Sequence, residues 1–198
     1  MPDLFKEIVP SILSTGKSVI HDELEYLNLT KTFLPPEKSG SAKDEHGKLK
    51  KHNNAAFLDE VYADRHESNI LKLNRKIFHK DMEKIIDIDP LFRAVFSANK
   101  YTTLVSYYEN SHYYKPHWDA AAITVLNYYF KEPKSFTGGE ITLKVNDVEE
   151  TKEIKNNMSI IFPGVYQHKV SPIKMSNDFA NYSTYGRYCI SQFTYLNK

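Results

Sequence analysis

The pattern of apolar and polar positions divides the 198-residue chain into a first half with helical spacing and a second half with strand-like spacing. In residues 66–87 apolar side chains recur every three or four positions, which predicts an amphipathic helix. A shorter helix is predicted at 91–96, because Asp89 is a favoured N-cap and Pro90 suits the first helical position. The second half consists of short apolar runs separated by turn residues, which is typical of β-structure.

Four other segments of the first half have weaker patterns. Residues 3–14 predict a short amphipathic helix, residues 22–34 a strand or mixed segment, and residues 55–62 a strand or the start of a helix. Residues 35–54 are polar and lack apolar periodicity. They predict a solvated, mobile loop, with a flap that orders over a substrate as the alternative.

The second half predicts eight strands. They span 101–108, 112–117, 123–131, 139–145, 150–154, 158–162, 166–170 and 185–196. Asn146 and Asp147 are typical of a hairpin turn between the fourth and fifth strands. Eight antiparallel strands favour a mostly β fold, a double-stranded β-helix (jelly roll, cupin-like) packed against N-terminal helices. We expect one domain over 1–198, with 1–98 as mainly helical support and 99–198 as the jelly-roll core.

Composition and charge narrow the classes of partner. The net charge of +1 gives no strongly basic face, so a nucleic-acid partner is not expected. Cys189 is the one cysteine, which excludes an intrachain disulfide and disfavours a cysteine-based zinc site. The start of the chain does not resemble a signal peptide, and no apolar run is long enough to cross a membrane. We therefore expect a soluble, cytoplasmic protein without a membrane partner; its oligomeric state stays open.

Two histidines and one carboxylate form the candidate chemistry. His117 and Asp119 are two residues apart at a predicted strand end, so their side chains point the same way. His168 follows a distant strand. Together they match the two-histidine, one-carboxylate arrangement that non-haem Fe(II) oxygenases use. A second His-x-Asp triplet, residues 79–81, falls on the predicted helix 66–87, where side chains two apart diverge.

The motifs follow one another in a characteristic order. Along the chain they are His117-Trp118-Asp119, the apolar strand 123–130, Gly138-Gly139-Glu140, the segment 164–170 that contains His168, and Gly186-Arg187-Tyr188-Cys189-Ile190. This order resembles the 2-oxoglutarate/Fe(II)-dependent dioxygenases, in particular their prolyl 4-hydroxylase-like branch, over about residues 100–198. The resemblance implies that His117, Asp119 and His168 bind Fe(II). It also implies 2-oxoglutarate and O2 as cosubstrates, and ascorbate in a supporting role.

The resemblance further implies a set of residues that bind 2-oxoglutarate. Arg187 is expected to pair with the far carboxylate, because a guanidinium offers two parallel donors. Ser191 lies on the same strand face and is expected to add a hydrogen bond. Lys174 is the competing anchor, since Arg187 lies further beyond His168 than the basic residue does in many relatives.

Aromatic residues complete the predicted pocket. Tyr129 is expected to hydrogen-bond the far carboxylate, and a one-residue shift in register would give that role to Tyr128. Tyr108 is a further predicted neighbour of 2-oxoglutarate. The predicted substrate pocket contains Tyr114, Trp118 and Asn127. Trp118 is expected to point away from the metal and either to pack against its neighbours or to border the substrate entrance.

The activity that the resemblance implies is hydroxylation of an unactivated C–H bond, with release of succinate and CO2. The expected substrate is a prolyl residue in a peptide or protein, and a free amino acid or other small metabolite is the alternative. A groove edged by residues 37–62 would favour the first, and a closed cavity the second. The presence of Asp119 favours hydroxylation over halogenation. A non-catalytic jelly-roll module with a structural metal is the remaining interpretation.

Overall fold

Two antiparallel sheets form the core of the computed structural model, which describes residues 4–75 and 97–196. The larger sheet contains, in spatial order, β1 (Lys6–Ile8), β10 (Met158–Pro163), β6 (Ile123–Tyr129), β13 (Arg187–Tyr195), β4 (Lys100–Tyr108) and β3 (Asn54–Phe57). The smaller sheet contains β2 (Lys51–His52), β5 (Tyr113–His117), β11 (Gln167–Val170), β8 (Ile141–Val145) and β9 (Val148–Lys152). A short ladder joins β7 (Phe136–Thr137) to β12 (Lys174–Met175). The predicted jelly-roll fold is confirmed.

The eight strands predicted in the second half are all present, with bounds that differ from the predicted ones by a few residues at most. The hairpin between β8 and β9 turns at Asn146, whose φ of 53° lies in the left-handed region that asparagine tolerates. Val145 pairs with Val148 across this turn. The hairpin turn predicted from Asn146 and Asp147 is therefore present between these two strands.

The larger sheet is covered on both faces, as the burial of its central strand β6 shows. Every residue of β6 is buried. Leu126 and Tyr128 pack into the space between the two sheets, whereas Tyr129 packs against the helices on the outer face. Because neighbouring side chains on a strand point to opposite faces, a strand covered on both sides must be apolar or hydrogen-bonded at nearly every position.

The helices cover the outer face of the larger sheet. They are α1 (Lys17–Leu29), α2 (Leu58–Val61) and α3 (Asn69–Asn74). Ile20, Leu24 and Leu27 of α1 recur at helical spacing and are buried in the same cluster as the outward residues of the sheet. The strand or mixed structure predicted for residues 22–34 is therefore wrong over α1, because the apolar spacing there follows a helical period.

Residues 3–14 also differ from the prediction, which was a helix. Lys6, Glu7 and Ile8 instead pair with β10 and extend the larger sheet. A short segment gains few helical hydrogen bonds of its own, whereas the edge of β10 offers unpaired backbone groups. Residues 55–62 contain both predicted alternatives, because β3 runs directly into α2. The described part of the N-terminal half thus contributes three strands as well as helices.

Part of the first half lies outside the described residues. Of the predicted helix 66–87, the structure describes α3 up to residue 75. The predicted helix at 91–96 and the His-x-Asp triplet at 79–81 fall among the residues that are not described. Within residues 4–75 and 97–196, no helix is long and apolar enough to span a bilayer.

Two glycines with nearly the same positive φ give a test of this packing. Gly138 and Gly47 have φ of 76° and 75°. A Cβ atom at Gly138 would lie 2.0 Å from the carbonyl oxygen of Pro172, whereas at Gly47 it would meet nothing within 4 Å. We expect Gly47→Ala to lower the free energy of unfolding by about 1 kcal/mol through backbone strain. Gly138→Ala should lower it by about 3 kcal/mol or more, because strain and overpacking combine. Urea denaturation would measure both, and equal losses would contradict the packing described for Gly138.

Candidate active site

Three side chains converge where β5 and β11 run side by side in the smaller sheet. His117 ends β5 and lies directly opposite His168 on β11. Asp119 follows two residues later, where its N–H donates to the carbonyl oxygen of Gly164 at 2.9 Å. This bond ties the connection after β5 to the turn before β11. The backbone therefore brings His168 next to His117 and Asp119, from which about fifty positions separate it in the sequence.

The ligand atoms of these residues lie within 4.8 Å of one another. His117 Nε2 is 3.9 Å from Asp119 Oδ1, and His168 Nε2 is 3.5 Å from Asp119 Oδ2. A metal ion about 2.1 Å from each ligand atom needs neighbouring ligand atoms roughly 3 Å apart in an octahedral site. Small side-chain movements would bring the three groups to that spacing.

Hydrogen bonds hold each of these groups in an orientation that suits a metal ion. His117 Nδ1–H donates to the carbonyl oxygen of Lys115 at 2.9 Å, and His168 Nδ1–H donates to that of Tyr166 at 3.0 Å. Both rings therefore direct Nε2 toward Asp119, with a lone pair available for a metal, as metal-binding histidines usually do. Thr124 Oγ1–H donates to Asp119 Oδ2 at 2.7 Å. This donor set fits Fe(II).

Burial disfavours the charged forms of His117 and Asp119 when no cation is bound. It lowers the pKa of His117 to about 3, and the neighbouring His168 adds to this effect. Burial also raises the pKa of Asp119, although His168 and Thr124 oppose the shift. His117 is thus neutral and able to bind a metal at physiological pH. Because the pKa of its ring falls on folding, the contribution of His117 to the stability of the metal-free protein should decrease as pH falls from about 6.5 toward 3.

A cavity extends from these residues into the space between the sheets. Side chains from both sheets line it: Leu104, Ser106, Tyr108, Leu126, Tyr128, Arg187, Cys189, Ser191 and Phe193 from the larger sheet, and Lys51, Tyr114 and Val170 from the smaller one. Alternate residues of β13 form one wall, from Arg187 to Phe193, as the two-residue period of a strand requires.

Arg187 is a buried cation whose guanidinium has spare hydrogen-bonding capacity. The side chain is fully buried, and its Cζ lies 4.1 Å from the ring centre of Tyr108 and 5.2 Å from that of Tyr128. One terminal nitrogen donates to the carbonyl oxygen of Gly139, whereas Nε has no partner within residues 4–75 and 97–196. Among the described residues, no carboxylate lies within ion-pair distance of this guanidinium. A buried charge of this kind is costly without an anion, and Arg187 lies in the same cavity as Asp119.

The structure corrects the prediction for Tyr129. This ring lies on the helix-facing side of the larger sheet, where its hydroxyl is 2.8 Å from Ser11 Oγ. Tyr128 occupies the cavity instead, and its buried hydroxyl has no hydrogen-bond partner in the part of the chain that the structure describes. The two tyrosines are adjacent on one strand, so only the side of β6 that faces the smaller sheet decides between them.

Asn127 shares the orientation of Tyr129, and its predicted place in the substrate pocket is likewise wrong. Its Oδ1 accepts a hydrogen bond from Ser159 Oγ at 2.6 Å, and its Nδ2 donates to the carbonyl oxygen of Ile190 at 3.4 Å. The side chain is fully buried on the outer side of the sheet. It connects β6 to its two neighbours and does not reach the cavity.

The other predicted residues occupy distinct positions around the site. The Tyr114 ring stacks on His117 with 3.5 Å between ring centres. Trp118 is 62% exposed outside the cavity, with Lys50 Nζ 5.5 Å from its ring centre. Ser191 and Tyr108 line the cavity, as Arg187 does. Lys174, the alternative anchor, is exposed on β12 and does not line it.

Sequence reasoning missed Lys51, which also lines the cavity and is 3% exposed. It falls at the end of the polar segment 35–54, which was interpreted as a solvated loop. The segment instead bonds to β5: the Ala42 N–H donates to Tyr114 Oη at 3.1 Å, and Lys115 N–H donates to the Lys50 carbonyl oxygen at 2.9 Å. A two-residue strand gives no readable periodicity, so no sequence signal marked Lys51.

A jelly roll with two histidines and a carboxylate beside an internal cavity defines a class: proteins with a non-haem metal site of the two-histidine, one-carboxylate type. Sequence comparison makes the assignment more specific. The family profile described as the 2OG-Fe(II) oxygenase superfamily matches residues 103–195, which span β4 to β13. The resemblance to the 2-oxoglutarate/Fe(II)-dependent dioxygenases that the motifs indicated is thereby confirmed at the level of the superfamily. A search of curated proteins finds no match.

Solved structures with the same fold include several prolyl hydroxylases. A Pseudomonas putida prolyl-4-hydroxylase matches with a TM-score of 0.62 at 12% identity, covering 98% of this chain and 94% of its own. A Trichoplax adhaerens prolyl hydroxylase, bound to a hypoxia inducible factor peptide fragment, has a TM-score of 0.59 at 13% identity, covering 97% and 83%. The viral collagen prolyl hydroxylase of Paramecium Bursaria Chlorella virus-1 has a TM-score of 0.54 at 16% identity, covering 97% and 95%. At these identities the likeness establishes the fold.

Substitution of His168 tests the metal site directly. We expect His168→Ala to abolish Fe(II) binding, because one of three protein ligands is lost, while the fold remains. Anaerobic titration with Fe(II) would measure the affinity, and circular dichroism would report the fold. His66→Ala, at an exposed histidine, is the control and should bind Fe(II) normally. Normal affinity in His168→Ala would remove this residue from the site.

The hydrogen bond from Thr124 gives a subtler test. Thr124→Val keeps the shape of the side chain but removes the donor to Asp119. We expect Fe(II) affinity to fall about 10–100-fold, the usual effect of losing a group that orients a metal ligand. Thr124→Ser should restore most of the affinity. If Thr124→Val bound Fe(II) as tightly as the unmodified protein, this hydrogen bond would not help to orient Asp119.

Proposed function

We propose that this protein is an Fe(II)- and 2-oxoglutarate-dependent dioxygenase that hydroxylates an unactivated C–H bond. The proposed substrate is a prolyl residue in a peptide or protein, and the products are the alcohol, succinate and CO2. The observation that carries this proposal is Arg187, a buried guanidinium without a carboxylate partner among the described residues, in the same cavity as His117, Asp119 and His168. A dianionic keto acid would reach the metal-binding residues at one end of that cavity and Arg187 at the other.

The three clustered residues would hold Fe(II). When bound, Fe(II) with 2-oxoglutarate and O2 supplies the oxidation, in which one oxygen atom enters the substrate and the other enters succinate. The share of the protein is to bind, orient and exclude water. His117 and His168 offer neutral Nε2 atoms, and Asp119 offers a carboxylate that Thr124 holds in place.

The far end of the cavity would bind the other carboxylate of 2-oxoglutarate. Arg187 offers the fork of donors that a carboxylate prefers. The free hydroxyl of Tyr128 and the hydroxyl of Ser191 line the same cavity. Apolar side chains, including Leu126, Val170 and Phe193, surround these groups. They would keep water away and so strengthen the charge interaction.

The prolyl substrate is supported by the structural neighbours named above, which are described as prolyl hydroxylases and one of which holds a peptide fragment. The net charge of +1 supports a substrate other than nucleic acid. We further propose that ascorbate supports turnover. A cytoplasmic location stays a prediction from the sequence.

Hydroxylation of a free amino acid or other small metabolite is the second candidate, and one observation favours it. Residues 40–51 fold against β5, where Gly40 and Lys51 line the cavity and Ala42 bonds Tyr114. This segment therefore lies along one side of the cavity. A cavity covered on that side would favour a small substrate over an extended one.

One assay separates the candidates. The protein with Fe(II), 2-oxoglutarate and ascorbate is incubated with a panel of prolyl peptides and a panel of free amino acids and metabolites. Succinate is quantified, and mass spectrometry detects products that have gained one oxygen atom. A hydroxylated peptide supports the first candidate and a hydroxylated metabolite the second. No 2-oxoglutarate decarboxylation under any condition would overturn both and favour a non-catalytic metal-binding module.

The 2-oxoglutarate site is tested by comparing Arg187 with the two adjacent tyrosines. We expect Arg187→Met to weaken 2-oxoglutarate binding at least about thirtyfold, since losing one partner of a buried charge pair costs about 2–5 kcal/mol. Fe(II) affinity should stay the same.

Tyr128→Phe should weaken 2-oxoglutarate about tenfold or more, because a hydrogen bond to a charged group is lost. Tyr129→Phe removes a hydroxyl on the other face of the sheet and is the matched control. Calorimetric titration of the Fe(II)-loaded protein under anaerobic conditions measures all three variants. A larger effect for Tyr129→Phe than for Tyr128→Phe would contradict the assignment.

A further inference from the structure

Lys51 is a buried lysine on a wall of the proposed active-site cavity. Its side chain is 3% exposed, although lysine is rarely buried without a partner. Lys51 pairs with Tyr114 across β2 and β5, and the Tyr114 ring stacks on the candidate metal ligand His117. The lysine is therefore one strand away from the metal centre and belongs to the sheet that carries both histidines.

The ammonium group of Lys51 has donors to spare. It donates one hydrogen bond, to the carbonyl oxygen of Ser39 at 2.9 Å. An ammonium group has three donors. Burial lowers the pKa of Lys51 to about 8, so the group is still mostly charged at neutral pH.

Comparison with the other lysines supports the view that an anion is missing. Among the described residues, the lysines in ion pairs are at least partly exposed, such as Lys131 with Glu25 and Lys169 with Glu149. Lys51 is far more buried, yet no described carboxylate lies within ion-pair distance of its Nζ. A cation that loses its water without gaining a counter-ion destabilises the fold. An arrangement of this kind is typical of a binding site.

The charges of the proposed complex leave Lys51 uncompensated. The two positive charges of Fe(II) and the one of Arg187 balance the single charge of Asp119 and the two of 2-oxoglutarate. The positive charge of Lys51 then remains in a cavity walled partly by Leu104, Leu126 and Phe193. One further negative charge would neutralise the site, and the substrate is the component that can bring it.

We propose that Lys51 is a specificity-determining residue that binds a carboxylate of the substrate. The proposal rests on the dioxygenase function proposed above and deepens it, because it assigns the substrate to the class of carboxylate-bearing molecules. Two sources offer the same chemistry: the free carboxylate of a small amino acid, and an acidic side chain next to the reacting residue of a peptide. Lys51 orients the substrate and does not exchange protons with the reacting atoms.

The test uses matched probes that differ by one charge. The Fe(II)- and 2-oxoglutarate-loaded protein is titrated anaerobically, by calorimetry, with L-proline and with L-prolinamide. A second pair is an acetylated prolyl peptide with aspartate next to the proline, and the same peptide with asparagine. The unmodified protein should prefer the carboxylate member of one pair by about tenfold or more, as expected for a charge pair worth about 1.4 kcal/mol. The pair that shows the preference identifies the source.

Three variants connect that preference to Lys51. Lys51→Met keeps the length of the side chain without its charge and should abolish the preference, whereas Lys51→Arg should retain part of it. Lys48→Met removes an exposed charge from the same segment and should leave the preference unchanged. Limited proteolysis of residues 39–50 monitors whether the segment stays folded when the bond to Ser39 is lost.

Several outcomes would overturn the proposal. No preference for carboxylate in the unmodified protein, or an unchanged preference in Lys51→Met, would mean that Lys51 does not recognise the substrate. Faster cleavage of residues 39–50 without any change in preference would make Lys51 a purely structural residue. A loss of 2-oxoglutarate affinity in Lys51→Met as large as that in Arg187→Met would assign it to the cosubstrate. Failure of the proposed function is distinct, because the unmodified protein with Fe(II) would then not decarboxylate 2-oxoglutarate under any condition.

Discussion

The antiparallel pairing of β5 with β11 is the constraint on which the site depends. It sets His117 directly opposite His168. The hydrogen bond from Asp119 N–H to the carbonyl oxygen of Gly164 positions the third residue. These are backbone interactions, so the positions of the candidate ligands are fixed by the sheet and not by the side chains themselves. Thr124, on the facing sheet, then supplies a hydrogen bond that links the carboxylate to the opposite wall. The candidate metal site is thus formed by both sheets together.

The two faces of the larger sheet have different roles in the fold. Tyr128, Cys189 and Tyr108 face the smaller sheet and meet the cavity, whereas their neighbours Tyr129, Tyr188 and Tyr107 face the helices. Three adjacent strands repeat this alternation in register. The helices therefore cover one aromatic layer completely and leave the other to form a binding cavity. Polar groups such as Arg187 are stable there only because the alternation holds them in the interior.

Sequence reasoning predicted the strands and the clustering of the three candidate metal-binding residues correctly, but it misplaced Tyr129 and Asn127. Short apolar runs with turn residues between them define strands locally, and His-x-Asp on an extended backbone is also a local feature. Tyr129 and Asn127 were misplaced because the choice between the two faces of β6 depends on which side the helices cover. The helical spacing of apolar residues in α1 indicates which side is covered, but residues 22–34 were predicted to be a strand or mixed segment. Lys51 was missed because its burial comes from the folding of residues 40–51 onto β5, a tertiary contact without a local pattern.

The attachment of Arg187 has a consequence for the kind of keto acid that the cavity can accept. Its guanidinium donates to the carbonyl oxygen of Gly139 and packs on the Tyr108 ring. The strand that carries it is paired along its whole length with β4 and over residues 188–194 with β6. Strands therefore hold both Arg187 and the segment next to Asp119 in place. In the proposed complex this fixed arrangement would make affinity for a diacid depend on the length of its carbon chain.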